Sequence, residues 1–123
     1  MDAKQSETQT PLSAQTCAPC SGDVPGLSAD EIESMMPDLH PDWTLQSEGK
    51  SLQRSFSFKG FAKAVYLSNL CVWLADEQGH HPDIAFGWGY CNVTLTTHDL
   101  GGLSKNDFIW AARLDKLVLK NAD

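Results

Sequence analysis

Long hydrophobic runs are missing from this 123-residue chain. No segment approaches the roughly 18 apolar residues of a membrane-spanning helix, which argues against a helical membrane protein and against a membrane partner. The first 25 residues, MDAKQSETQTPLSAQTCAPCSGDVP, also lack the apolar core of a secretory signal, so a cytoplasmic location is expected. Basic residues are scarce as well: 9 Lys and Arg against 16 Asp and Glu leave a net charge of -7. A phosphate backbone would have to bind against that field, and nucleic acid is not expected as a direct partner. There is no phosphate-binding glycine loop, dinucleotide fingerprint, nucleophile elbow or internal repeat, which sets aside the enzyme classes those motifs mark. Four cysteines are too few and too scattered for a disulfide framework. Only Cys17 and Cys20 are close, in CAPC, while Cys71 and Cys91 stand alone in apolar segments. CAPC lies in a Ser/Thr/Gln/Pro tail rather than at a strand–helix junction, so it reads as two thiols on a flexible tail, with metal or redox use as the alternative.

The length suits one domain with one modest core, and 41% apolar with 20% charged residues describes a chain that folds. Residues 1–26, polar and rich in turn formers, are expected to be a flexible leader, with the domain spanning 27–123. SADEIESMMPD opens with Ser28 and Glu31 at capping-box spacing and is stopped by Pro37, which predicts a short helix. DWTLQSEGKSLQRSFSF alternates apolar and polar, placing Trp43 and Leu45 in one arm of a hairpin and Leu52, Phe56 and Phe58 in the other.

From Phe61 to about Gln78 there is neither Pro nor Gly, and two apolar stripes run along the predicted helix: Phe61, Ala64, Val65, Val72 and Ala75, and Leu67, Leu70, Cys71 and Leu74. Two stripes imply burial on two sides, one against a sheet and one against another subunit, so a homodimer or homotetramer is expected. Gly79 ends the helix. Two strand-like runs, DIAFGW and YCNVTLTT, follow, and SKNDFIWAARLDKLVLK closes the chain as an amphipathic helix with Ser104 and Asp107 at capping spacing. The order helix, hairpin, helix, two strands, helix predicts an α+β fold: a four-stranded antiparallel sheet with helices packed on one face.

Of four histidines, His40 in LHPDW has no chemical companion and reads as a loop residue. His80 and His81 directly follow the long helix, and His98 ends a Thr-rich strand, so loops at one sheet edge can gather three imidazoles. Three histidines could bind zinc, although adjacent residues diverge in direction and no other ligand is conspicuous. They could equally move protons as general acid and base without a cofactor, the better fit.

Asp76, His80-His81-Pro82, Trp88, His98 and Asp107, separated in turn by three, five, nine and eight residues, resemble the pterin-4a-carbinolamine dehydratase family. FSFKGF, VTLTTHDLGGLSKND and the Trp43 hairpin look like the family too, so the likeness runs over about residues 27 to 119. The resemblance implies a hydro-lyase that takes no cofactor and no metal and dehydrates 4a-hydroxytetrahydropterin to quinonoid dihydropterin in tetrahydropterin recycling. It implies His80 and His98 as the proton-transfer pair and His81 as a positioning residue that shares the work. It further implies Gly79, Thr96, Thr97, Asp99 and Trp88 around the pterin, with Asp76 and Asp107 supporting. Some family members carry an acidic residue where Gly79 stands and a basic one where Asn106 stands. Two other readings are a non-catalytic protein-binding module of the dimerisation-cofactor type and a zinc hydrolase.

Overall fold

The computed structural model describes residues 10–19 and 24–120, so Cys20 lies outside the described residues. Three α-helices, α1 (Ala29–Met35), α2 (Ala62–Gln78) and α3 (Lys105–Lys120), accompany strands β1 (Thr44–Gln46), β2 (Ser51–Ser57), β3 (Asp83–Gly87) and β4 (Tyr90–Leu95). The strands form one antiparallel sheet in the order β1-β2-β4-β3. This is the expected α+β architecture.

Local chemistry sets the boundaries. Ser28 Oγ accepts the Glu31 N–H at 3.2 Å and Glu31 Oε1 accepts the Ser28 N–H at 2.8 Å, closing the capping box that starts α1. Pro37 then enters a short 3-10 turn, Met36–Asp38. Gly79 takes the left-handed conformation, φ 69°, and its N–H returns to the Ala75 carbonyl at 2.9 Å, ending α2.

Strand alternation assigns the sheet faces. Leu52, Arg54 and Phe56 of β2 and Cys91, Val93 and Leu95 of β4 are buried beneath the helices. Gln53, Ser55, Asn92 and Thr94 point to the other, more open face. Trp110, Phe108, Leu114 and Leu74 fill the layer between helices and sheet. The two apolar stripes predicted for α2 are not buried equally within the chain: Leu67, Cys71 and Leu74 of one turn inward together with Ala64 and Ala75 of the other, whose Phe61 and Val72 are exposed beside Tyr66 and Trp73. Leu45, in the same hairpin arm as Trp43, is 39% exposed on β1, a three-residue strand at the sheet edge.

Over residues 10–19 the expectation of a flexible leader is not met. Residues Leu12–Ala14 form a 3-10 turn against α3, and Leu12 and Cys17 are buried in the core. The cause lies in α3, whose residues 106–112 are buried all round. The sheet can cover only one side of such a helix, and the segment before residue 19 covers another, with Leu12 burial alone stabilising by about 2 kcal/mol. No helix among the described residues is long and apolar enough to cross a membrane.

Candidate active site

The C-terminal end of α2, the end of β4 and the N-terminal end of α3 meet at one point. Gly79 reverses the chain direction after α2, so that the next two side chains enter different environments: His80 is only 4% exposed, whereas His81 faces solvent. Beyond β4, Thr97 donates its N–H to the Gly102 carbonyl at 2.8 Å, closing a tight loop through the His98–Leu100 turn and holding His98 at the surface.

A cleft of about 200 Å³ opens between these elements, lined by Gly79, His80 and His81 from one side and by Thr96, Thr97, His98 and Asp99 from the other. All three sequence-predicted histidines therefore share one cleft. Its volume lies below the roughly 300–1,000 Å³ of a closed ligand cavity, so a ligand would rest in it with one face open. A larger groove of about 800 Å³ runs beside residues 10–15 and α3, past His40 and Asp115. It holds no comparable group of imidazoles; His40 Nδ1 there accepts the Asp42 N–H at 3.0 Å, as a loop residue does.

Asp107 sits behind the cleft, fully buried in the first turn of α3. Its Oδ1 lies 2.6 Å from His80 Nε2, and its Oδ2 accepts from Thr97 Oγ1 at 2.8 Å and from the Ser104 N–H at 2.9 Å. Ser104 Oγ and Thr97 Oγ1 are themselves 2.7 Å apart. The capping role expected for Asp107 is present, and the same carboxylate also holds a histidine. Both helix ends suit the pair: a helix C-terminus favours positive charge near His80, and a helix N-terminus favours negative charge at Asp107. Thr97 and Ser104 complete the carboxylate's shell, a role that sequence spacing alone did not give Thr97.

Two expected residues stand elsewhere. Trp88 is 70% exposed in the β3–β4 turn. Asp83 pairs with Thr94 at the cleft end and Gly87 with Tyr90 at the other, so Trp88 is separated from the cleft by the length of β3, roughly 17 Å. The expectation that it walls the pocket is thus not met within one chain. Asp76 is exposed on α2 and lies outside the cleft lining. Among the described residues, no group of three His, Cys, Asp or Glu side chains is arranged to hold a metal ion. Cys71 and Cys91 are free and buried. Burial, with Cys91 close by, pushes the Cys71 thiol up to about 12, and burial also raises Cys91, so neither is poised as a nucleophile.

The pterin 4 alpha carbinolamine dehydratase family matches residues 25–117. The chain belongs to this family. A protein of Paracoccus denitrificans, provisionally named pterin-4-alpha-carbinolamine dehydratase, is 52% identical over 92 residues, covering 75% of this chain and 85% of its own. One of Methylococcus capsulatus, with the same provisional name, is 42% identical over 107 residues, covering 87% and 93%. Among solved structures, a transcriptional coactivator/pterin dehydratase from Brucella melitensis superposes with a TM-score of 0.69 at 25% identity, over 76% of this chain and 98% of that one. A pterin dehydratase-like protein identified as a RuBisCO assembly factor in the alpha-carboxysome gives a TM-score of 0.54 at 32% identity, over 63% and 90%.

Proposed function

We infer that the protein is a cofactor-free hydro-lyase that converts 4a-hydroxytetrahydropterin to quinonoid dihydropterin and water. The observation that carries this reading is the gathering of His80, His81 and His98 around one cleft in a chain of the dehydratase family. The reaction breaks the C4a–O bond and forms the C4a=N5 double bond. An acid protonates the departing hydroxyl, which leaves as water, and a base removes the N5 proton, whose electrons become the new bond. Two imidazoles suffice for both transfers.

His80 and His98 are assigned to the proton transfers, with His81 positioning the ring and sharing the work. The Asp107 bond supports the part given to His80 by fixing the orientation of a ring that lines the cleft. Thr96, Thr97 and Asp99 offer main-chain and side-chain groups to the donor and acceptor edge of a pterin. Replacing His80 or His98 with Ala is expected to slow dehydration of chemically generated substrate by about 10²–10⁴-fold. Undiminished rates in both single variants would sink the assignment.

Exposed Phe61, Tyr66, Val72 and Trp73, together with the edge strand β3, support association of two or more copies. Light scattering at micromolar concentration checks this, and a monomer would remove it. The same surface favours the second reading, a protein-binding module, which predicts partners retained by a variant lacking all three cleft histidines. The buried free thiols of Cys71 and Cys91 suit a reducing compartment, consistent with the cytoplasm.

A further inference from the structure

We propose that residues 15–18 form a strap that positions the His80–Asp107 pair, anchored by the side chains of Gln78 and Asn106. The pair joins two helix ends that are 27 residues apart in sequence, so no short covalent link fixes their separation. The strap crosses both ends. The Cys17 N–H donates to Gln78 Oε1 at 2.9 Å. The Ala18 main chain makes a reciprocal pair with Asn106: its N–H donates to Oδ1 at 2.9 Å and its carbonyl accepts from Nδ2 at 2.9 Å. Cys17 Sγ lies 3.5 Å from the Asn106 carbonyl, and Arg113 Nε donates to the Gln15 carbonyl farther along α3.

The anchors are placed where small movements reach the cleft. Gln78 precedes His80 by two residues and Asn106 directly precedes Asp107. Asn106 is 2% exposed, and Cys17 and Gln78 are also buried. Hydrogen bonds shielded from water in this way are stronger and more directional than exposed ones. Proton-transfer groups need placement to within about 0.5 Å, and a short loop through Gly79 cannot by itself supply it. Three main-chain groups of the strap, satisfied by two helix-borne amides, set the helix ends at a fixed spacing. Gln78 and Asn106 touch no reacting atom; they act through His80 and Asp107.

The test uses the full chain with two lesions on opposite sides of the contact. Asn106→Leu removes the helix-side amide, and Ala18→Pro removes the strap N–H without altering either helix. The first readout is the His80 imidazole N–H proton in NMR. A buried bond of 2.6 Å to a carboxylate gives a downfield, slowly exchanging resonance, expected to broaden or vanish in both variants. The second is steady-state kinetics, where kcat falls about tenfold and KM stays within about twofold. The kinetic arm rests on the dehydratase reading and the NMR arm does not. An inactive chain with a strap-dependent resonance therefore removes that reading and keeps this one. The proposal is overturned if the unaltered chain lacks the resonance, or if Ala18→Pro lowers the unfolding midpoint while resonance and kcat stay unchanged, as a purely structural brace would do. Should Asn106→Leu fail to fold, Ala18→Pro alone decides.

Discussion

Asp107 and Asp115 lie eight residues apart on α3, about 12 Å along its axis, and each carboxylate accepts three hydrogen bonds. Asp115 accepts from Trp43 Nε1 and Arg54 Nη1, both at 2.7 Å, and from the His40 N–H at 2.9 Å. Its donors are an indole, a guanidinium and a peptide group, none of which gives up a proton near neutral pH. Asp107 accepts from a hydroxyl, a peptide N–H and an imidazole that lines the cleft. Two nearly equal carboxylates thus take different parts because of their partners. One ties the β1–β2 end of the sheet to α3. The other fixes a ring that can exchange a proton with a ligand.

Asp107→Asn should separate the two most sharply. The amide keeps the shape but sets its NH₂ against donors, so about 2 kcal/mol of stability and roughly a hundredfold in dehydration rate should be lost, read by denaturant titration and by kcat/KM. Asp115→Ala should cost roughly 3 kcal/mol by leaving the Arg54 cation buried without its partner, while kcat per folded molecule stays unchanged. A large fall in kcat there would break the contrast. Thr97→Val removes one donor to Asp107 and should cost about 1 kcal/mol, with a rate loss smaller than that of Asp107→Asn. The smallest effect near neutrality belongs to Cys71. Its folded value of about 12 lies above the ordinary 9.0, so the unfolded chain releases the proton first. The stability it contributes is complete below pH 9.0 and is lost as pH rises through about 12. Unfolding midpoints measured upward from pH 8 should show that decline, and Cys71→Ala should flatten it.

Signals confined to a few residues were readable in advance. The Ser28–Glu31 box, the Gly79 stop and the alternation of Cys91, Val93 and Leu95 each follow from backbone geometry within one or two turns. The three histidines could be grouped because they end elements that a small antiparallel sheet brings to one edge. What stayed hidden depends on distant pairing. Trp43 and Asp115 are 72 residues apart, and Ala18 and Asn106 are 88 apart. A polar segment such as 10–19 shows no periodicity to announce that it will dock through its main chain. Trp88 was misplaced for a related reason: spacing along the sequence does not tell which end of a hairpin faces the cleft.

Gly79 leaves open space where a Cβ would stand, so its demand is for backbone conformation alone, φ 69°. Alanine there should cost only about 1 kcal/mol. Chain length at this point is a different matter. His80 turns inward and His81 outward because of where the turn falls, so deleting one residue before them would move His81 into the inward position and hand Asp107 the wrong imidazole. The segment is therefore built to forgive a change of letter and to punish a change of count.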